Sequence, residues 1–303
     1  MLRQAENRCR IEGILSEINL KYGSFVKNGV NTDNIGGNIK VLVHQTINGE
    51  DSTLEIPVYM FATKLTNAGK PNPAFESIEK VMTEFVSIAS GAGEAGADKI
   101  RITNGNIRMN EYYNQQGQLV SFPRVNASFV AKATGEFRPE ASWSLEFAVS
   151  SMDFVTDADG VEVEPKKLRI KAIVPQYGGK VDTMEFYATN PRVIDAISSY
   201  WENGKTYSAK GRLNFTSTTK EIIEECDFGE PDVRVQTVSV SELIVTKGTQ
   251  SPMEDDMAFA PVELSEALKE HKAYLETLKD KRASAPKATP APTSSNQEFD
   301  LGF

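Results

Sequence analysis

The sequence predicts a mainly β protein in which one small barrel occurs twice, followed by a helix and a polar tail. Apolar and polar residues alternate with the period of a half-buried strand through most of the first 250 residues. The order of three strands, a helix and two strands occurs twice in that region. After Thr249 the chain becomes acidic, then helical in pattern, and finally rich in Pro, Ala and Ser.

The first repeat begins with a strand predicted over residues 7–20, where Gly13 suggests a bend or bulge. A Gly- and Asn-rich loop is predicted over residues 21–38. Residues 38–47 and 52–64 then form a candidate hairpin around an Asn-Gly turn.

A helix is predicted over residues 73–89, because its apolar residues repeat every three or four positions. Asn72 is a suitable N-cap, and Pro73 suits the first helical position. Strands over 99–114 and 121–133 complete the repeat. Five antiparallel strands with a helix between the third and fourth is the layout of the OB fold.

The second repeat has strands in the same order and a shorter helix at residues 191–201. Gly211 in its fourth strand corresponds to Gly105 in the first repeat. We therefore expect a first OB barrel at 1–138, a second at 139–249, an acidic segment with an amphipathic helix at 250–282, and a disordered linker and tip at 283–303. The helix carries a stripe of Leu264, Leu268, His271, Leu275 and Leu278, for which docking on the second barrel is favoured over partner binding.

Composition limits the possible functions. The net charge of −9 argues against a simple basic nucleic-acid binder, although a local basic groove on an acidic body remains compatible with it. Cys9 and Cys226 match no metal-ligand spacing, and only two histidines are present, so we expect no metal or cofactor. No stretch approaches the ~20 apolar residues of a membrane span, and a cytoplasmic protein is expected.

The pattern GAGEAG at residues 91–96 matches the dinucleotide-binding motif, but it follows a predicted helix and precedes a strand. That motif must follow a strand and open a helix to bring the helix N-terminus to a pyrophosphate. A flexible connection is the better interpretation. An enzyme such as a nuclease is disfavoured because no cluster of metal-binding carboxylates is apparent.

A row of cations in the second repeat gives the strongest positive signal. Lys167, Arg169 and Lys171 alternate with apolar residues, so a strand sends them to one face. Lys210 and Arg212 alternate in the same way on the strand expected beside it. The first repeat has sparser equivalents, namely Lys40, Arg101 and Arg108.

Aromatic residues accompany these cations. Tyr112 and Tyr113 follow Arg108, Tyr177 lies in the second-repeat hairpin, and Phe215 follows Arg212. Cations that follow a phosphate backbone and rings that stack on bases are the usual means of binding single strands. Each of these aromatic side chains could instead fill a barrel core, and this alternative is strongest for Phe215.

The chain ends in Pro-, Ser- and Thr-rich sequence and then Glu298, Phe299, Asp300, Leu301, Gly302 and Phe303. Exposed aromatics add nothing to the stability of a disordered tail. An acidic peptide with a terminal aromatic fits a basic-rimmed apolar pocket on another protein. The alternative is a frayed end that folds back on the body.

Together, two OB-type barrels, a Pro/Ser-rich linker and this tip resemble the single-stranded DNA-binding proteins of bacteria and bacteriophages. NRCRIEGIL resembles the family's first strand, and WENGKTYSAKGR resembles its approach to the fourth strand. The partner-binding tip of the family corresponds to Asp300, Leu301 and Phe303, with Glu298 as a further acid and Phe299 as an extra ring. Gly302 stands where the bacterial tip usually has Pro, which favours a phage's own proteins as targets.

The resemblance implies a non-enzymatic protein that coats and protects single-stranded DNA during replication, recombination and repair. Its tip would recruit proteins such as a polymerase, helicase, primase or recombinase, and the chain could form a homo-oligomer. The alternative is a phage scaffold or protein-interaction module whose barrels do not bind DNA, which the acidic body supports.

Overall fold

The computed structural model describes residues 2–27, 29–47, 50–224 and 232–284. In these residues eleven strands form one continuous sheet with four α-helices around it. Strands of the amino-terminal part are β1 (Asn7–Lys27), β2 (Val30–Ile47), β3 (Glu50–Thr63), β4 (Lys99–Tyr113), β5 (Leu119–Asn126) and β6 (Ala131–Lys132). Those of the carboxy-terminal part are β7 (Glu140–Phe154), β8 (Leu168–Pro175), β9 (Val181–Ala188), β10 (Thr206–Glu224) and β11 (Asp232–Gly248).

The strand pairings form two cycles of the same order. In the first ring, β1 pairs with β2, β2 with β3, β3 with β5, β5 with β4, and β4 again with β1. In the second ring, β7, β8, β9, β11 and β10 repeat this order, and β10 returns to β7. Each ring has one parallel pairing, which joins its third and fifth strands.

A shared ladder joins the two rings. β1 pairs with β7 in antiparallel register from Asn7 opposite Leu145 to Glu12 opposite Glu140. Cys9 lies opposite Trp143 in this ladder, Gly105 pairs with Cys9, and Gly211 pairs with Trp143. The two glycines therefore occupy equivalent places in the two rings, in agreement with the repeat seen in the sequence.

The helices begin where the sequence predicts. α1 (Pro73–Glu84) is capped by Asn72, whose side-chain oxygen accepts a hydrogen bond from the amide of Ala74. α3 (Pro191–Tyr200) is capped in the same way by Asn190. α1 ends at Glu84, before the predicted Ala89, and the GAGEAG segment holds only the single turn α2 (Gly93–Gly96).

Apolar side chains at every second position of the strands fill the core. β3 buries every second residue from Leu54 to Ala62, and β8 buries Leu168, Ile170 and Ala172. The second ring closes over stacked aromatic rings, with Phe147 and Phe186 between the indoles of Trp143 and Trp201. α1 covers the first ring with Phe75, Ile78 and Val81.

Two predictions need correction. Residues 21–38 are not a loop, because β1 and β2 continue as a long two-stranded ribbon in which Lys27 pairs with Val30. Backbone hydrogen bonding between the two strands outweighs the turn preference of their Gly and Asn residues. The carboxy-terminal helix α4 (Pro261–Ser284) does not dock on the second ring alone, since it contacts β4 of the first ring and β9 of the second.

Candidate nucleic-acid interface

The outer face of the first ring carries a tyrosine beneath an arginine. The guanidinium carbon of Arg124 lies 4.1 Å from the centre of the Tyr59 ring. The Arg124 side chain donates hydrogen bonds to the amide oxygens of Asn126 and Asn110, at 3.1 and 3.0 Å. In the described residues no carboxylate forms an ion pair with Arg124, so its positive charge is held by neutral groups.

The second ring has the equivalent pair. Tyr59 and Tyr187 correspond because each lies on the third strand of its ring, in the parallel pairing with the fifth strand. The Lys167 ammonium nitrogen lies 4.5 Å from the centre of the Tyr187 ring. An equivalent tyrosine in each ring therefore has a cation over its face, although Arg124 comes from β5 and Lys167 from the residue before β8.

The carboxylates around the second pair distinguish it from the first. Lys167 forms an ion pair with Glu242, and Arg169 forms one with Asp153. Tyr187 donates a hydrogen bond of 2.7 Å to Glu185. Burial and this hydrogen bond raise the pKa of Tyr187 far above its ordinary value.

Two other predicted cations of the second ring have no ion pair in the described part of the chain. Lys171 and Lys210 are both exposed, in keeping with the predicted alternation. Arg212 is only half exposed, and burial lowers its pKa. Of these three predicted cations, Lys171 and Lys210 are therefore the ones whose charge is accessible.

The three predicted cations of the first ring are all ion-paired. Lys40 contacts Glu17 at 2.7 Å, Arg101 contacts Glu12 at 2.8 Å, and Arg108 contacts Asp182 of the second ring at 2.6 Å. Hydrogen bonds from Arg101 lower the pKa of the buried Glu12. Glu12 also accepts a hydrogen bond from the Arg138 amide, so this group holds the segment that leads into β7.

The predicted aromatic residues differ in exposure. Tyr177 is 83% exposed at the β8–β9 turn, and Tyr112 is 46% exposed and meets Phe122 edge-to-face at 6.5 Å. Tyr113 is half-buried. Phe215 is only 3% exposed, so its prediction as a stacking residue is wrong. It follows Gly211 and Leu213 at two-residue spacing on the inward face of β10, and it fills the core.

A groove of about 950 Å³ lies between the rings. Phe122 and Pro123 of the first ring line it, together with Lys171 and Tyr187 of the second ring and Leu268 of α4. A groove lined by both rings and containing two aromatic side chains and an unpaired lysine could accept an extended strand.

A smaller cavity of about 370 Å³ also receives residues from α4. Arg108, Arg124 and Lys180 line it together with Glu270, His271 and Tyr274. His271 Nε2 lies 3.4 Å from Glu111 Oε2, at the outer limit of hydrogen bonding. The nearby Glu111 carboxylate raises the pKa of His271 despite the burial of the imidazole.

Sequence reasoning missed Tyr59, Arg124 and Phe122 as surface residues. The signal was present, since Tyr59 alternates with buried Val58 and Met60, and Arg124 with buried Val125. The tip residues Glu298, Phe299, Asp300, Leu301 and Phe303 lie outside the described residues, as does Cys226. Within the described ranges, no group of three or more His, Cys, Asp or Glu residues could hold a metal ion, and no helix is long and apolar enough to cross a membrane.

Comparison with known proteins identifies the class of fold and then the family. The wild-type single-stranded DNA-binding protein from Thermus aquaticus matches with a TM-score of 0.50 and 11% identity, over 84% of this chain and 97% of that one. A deletion mutant of the same Thermus aquaticus protein matches with a TM-score of 0.48 and 14% identity, over 83% of this chain and 97% of that one. The match to the wild-type protein shows a similar fold in the two chains.

The YorF family model matches residues 5–281, and the chain belongs to the YorF family. No curated protein matches the sequence significantly.

Proposed function

We propose that this protein binds single-stranded DNA without catalysing a reaction. The observation that carries the proposal is that an equivalent tyrosine in each ring has a cation over its face, with a groove between the rings. Sequence-tolerant binding of single strands requires aromatic side chains that stack on bases, beside cations that contact phosphates. The Thermus aquaticus protein of similar fold is a single-stranded DNA-binding protein by description, which agrees with this proposal.

Each ring is, in this proposal, an OB-type barrel, because its pairing order and its helix between the third and fourth strands follow that layout. The DNA strand would contact half-buried Tyr59 and Arg124 and the exposed residues Phe122, Lys171 and Lys210. Three further aromatic side chains would lie at the margins of this face, namely Tyr112, Tyr113 and Tyr177. Lys40, Arg101 and Arg108 would serve mainly as structural ion pairs.

In the cell, such a protein would coat and protect single strands during replication, recombination and repair of phage DNA. The tip from Glu298 to Phe303 would recruit replication or recombination proteins. It would be dispensable for DNA binding, since its acids are repelled by phosphate. Self-association of the chain would extend the coated length.

The test is fluorescence anisotropy with labelled oligo-dT of several lengths at two salt concentrations, with duplex DNA of equal length as the control. We expect affinity to increase with length up to a site size and to fall at higher salt, because phosphate binding releases counterions. Deletion of residues 298–303 should leave the affinity unchanged or slightly higher. Absence of binding at low salt, or equal binding to duplex DNA, would reject the proposal.

The second candidate function is a protein-interaction module that does not bind DNA. The acidic composition favours it, together with the ion pairs of Lys40, Arg101, Arg108, Lys167 and Arg169 with carboxylates. Failure of the same titration together with a specific protein partner would support this function.

A further inference from the structure

We infer that the two rings contribute unequally to the binding of single-stranded DNA. The Tyr59–Arg124 pair of the first ring binds phosphate and base, whereas carboxylates neutralise the Tyr187–Lys167 pair of the second. This inference rests on the proposed function and names which ring anchors the strand. The chemical reason lies in what holds each cation.

The guanidinium of Arg124 is prepared for an anion. It lies over the Tyr59 ring and is oriented by Asn126 and Asn110, which are both neutral. A guanidinium held by neutral groups keeps its full charge and can direct its remaining N–H groups to phosphate oxygens. Three carboxylates line the same cavity, and none of them forms an ion pair with Arg124 among the described residues: Glu111, Asp182 and Glu270.

The ammonium of Lys167 is already neutralised. Glu242 pairs with it, and Glu242 is itself fixed by a 3.1 Å hydrogen bond from Asn214. A phosphate that approached Lys167 would meet the charges of Glu242 and Glu185. Both Lys167 and Glu242 are largely shielded from solvent, with side chains 23% and 21% exposed, so their attraction is weakly screened by salt.

The cations come from different strands, since Arg124 lies on β5 and Lys167 directly precedes β8. In the second ring Glu242 holds the place that Arg124 has in the parallel pairing. Both tyrosines have equivalent places in the pairing order, and both cations lie within 5 Å of the ring centre. The direct partners of the cations differ, with amide oxygens for Arg124 and a carboxylate for Lys167. As a consequence, the single-stranded DNA is anchored on the first ring, while the second ring contributes through Lys171 and Lys210.

The experiment compares full-length Arg124→Ala with Lys167→Ala in the oligo-dT titration. Each change removes one positive charge over an equivalent tyrosine, so the change in net charge is matched. We expect Arg124→Ala to weaken binding about tenfold or more and to reduce the salt dependence by about one phosphate contact. Lys167→Ala should weaken binding less than about threefold, with the salt dependence unchanged.

A second pair of variants tests the carboxylate directly and keeps the inference testable if Arg124→Ala does not fold. Glu242→Gln should tighten binding, because it releases Lys167. Glu202→Gln, at an exposed residue of the same ring, is the control for general loss of negative charge. Glu242→Gln should bind more tightly than Glu202→Gln at the same salt concentration.

The outcomes separate the inference from the proposed function. Equal losses in Arg124→Ala and Lys167→Ala, or equal affinities of the two glutamine variants, would overturn the unequal rings and leave DNA binding intact. Wild-type protein that does not bind oligo-dT would overturn the proposed function and the inference with it.

Discussion

Gly211 lies where β10 pairs with β7, and the indole of Trp143 covers it. A β-carbon at this position would lie 2.0 Å from the Ile244 carbonyl oxygen and 2.4 Å from Trp143 Cζ2. The equivalent Gly105 has more room, since a β-carbon there would lie 3.2 Å from the Cys9 carbonyl oxygen and 3.4 Å from Cys9 Cβ. The same glycine therefore meets different steric demands in the two rings.

We predict that Gly211→Ala destabilises the protein more than Gly105→Ala does. The added methyl at Gly211 must displace Trp143 and the β11 backbone, and overpacking of this kind costs about 1–3 kcal/mol or more. Gly105→Ala should cost less than about 1 kcal/mol, because its neighbours need to move only slightly. Urea unfolding of both variants measures the difference, and equal losses of unfolding free energy would contradict it.

Ion pairing is also decided at the scale of single residues. Strand alternation predicts that Lys167, Arg169 and Lys171 share a face, and they do. It does not predict that Glu242 of β11 and Asp153 of β7 pair with two of them. The residue pattern gives the direction of a side chain, whereas its free charge depends on partners that are distant in sequence.

At the scale of the element, α4 is held by contacts to both rings. Its first half buries Leu264 and Ala267, and His271 reaches Glu111 of β4. Asp182 of β9 also raises the pKa of His271, and Arg108, Arg124, Lys180 and Glu270 line the same cavity. We therefore expect the docking of this helix to depend on the protonation of His271.

The sign of the pH dependence follows from the raised pKa. Protonated His271 favours the docked helix, so its contribution is complete below the ordinary histidine pKa of about 6.5 and is lost as pH rises through the higher folded value. We predict that the unfolding free energy falls as pH rises above the ordinary histidine pKa of about 6.5, and that Glu111→Gln reduces this fall.

Urea titrations at several pH values measure this effect. They are best made in a His44→Gln background, because His44 is the other histidine of the chain and contacts Glu94. An unchanged pH dependence in Glu111→Gln would show that the His271–Glu111 contact does not couple docking to pH.

At the scale of the whole molecule, the two rings share backbone and side-chain contacts. β1 belongs to the first ring and also forms a ladder with β7. Arg3 forms an ion pair with Glu146 at 2.6 Å, and Ala5 donates a backbone hydrogen bond to Pro175. The segment that begins the first ring is therefore bound to the second.

We predict that the rings unfold in one cooperative transition. Calorimetry should give one peak whose van't Hoff and calorimetric enthalpies agree. Asp182→Ala removes the ion pair with Arg108 between the rings and should cost about 1–3 kcal/mol. It should move the entire peak to lower temperature, whereas two separated peaks in either protein would show independent rings.

Much of the fold can be predicted from the sequence because it depends on local periodicity. Alternation over two residues gives the strands, and apolar spacing of three and four gives α1 and α3. The Asn-Pro pairs at both helix starts give the caps. Residues 21–38 are the exception, because the pairing of β1 with β2 overrides a composition typical of loops.

Local sequence patterns suffice for the mainly β fold, the repeated order of elements and the side of the strand on which each cation lies. Which cations are free depends on the assembled fold, since the carboxylates of Glu12, Asp182 and Glu242 reach their partners from other strands. The fold also places Arg124 over Tyr59 and Phe215 in the core. The physical reason is that alternation is a property of one strand, whereas charge neutralisation and burial depend on which strands the sheet brings together.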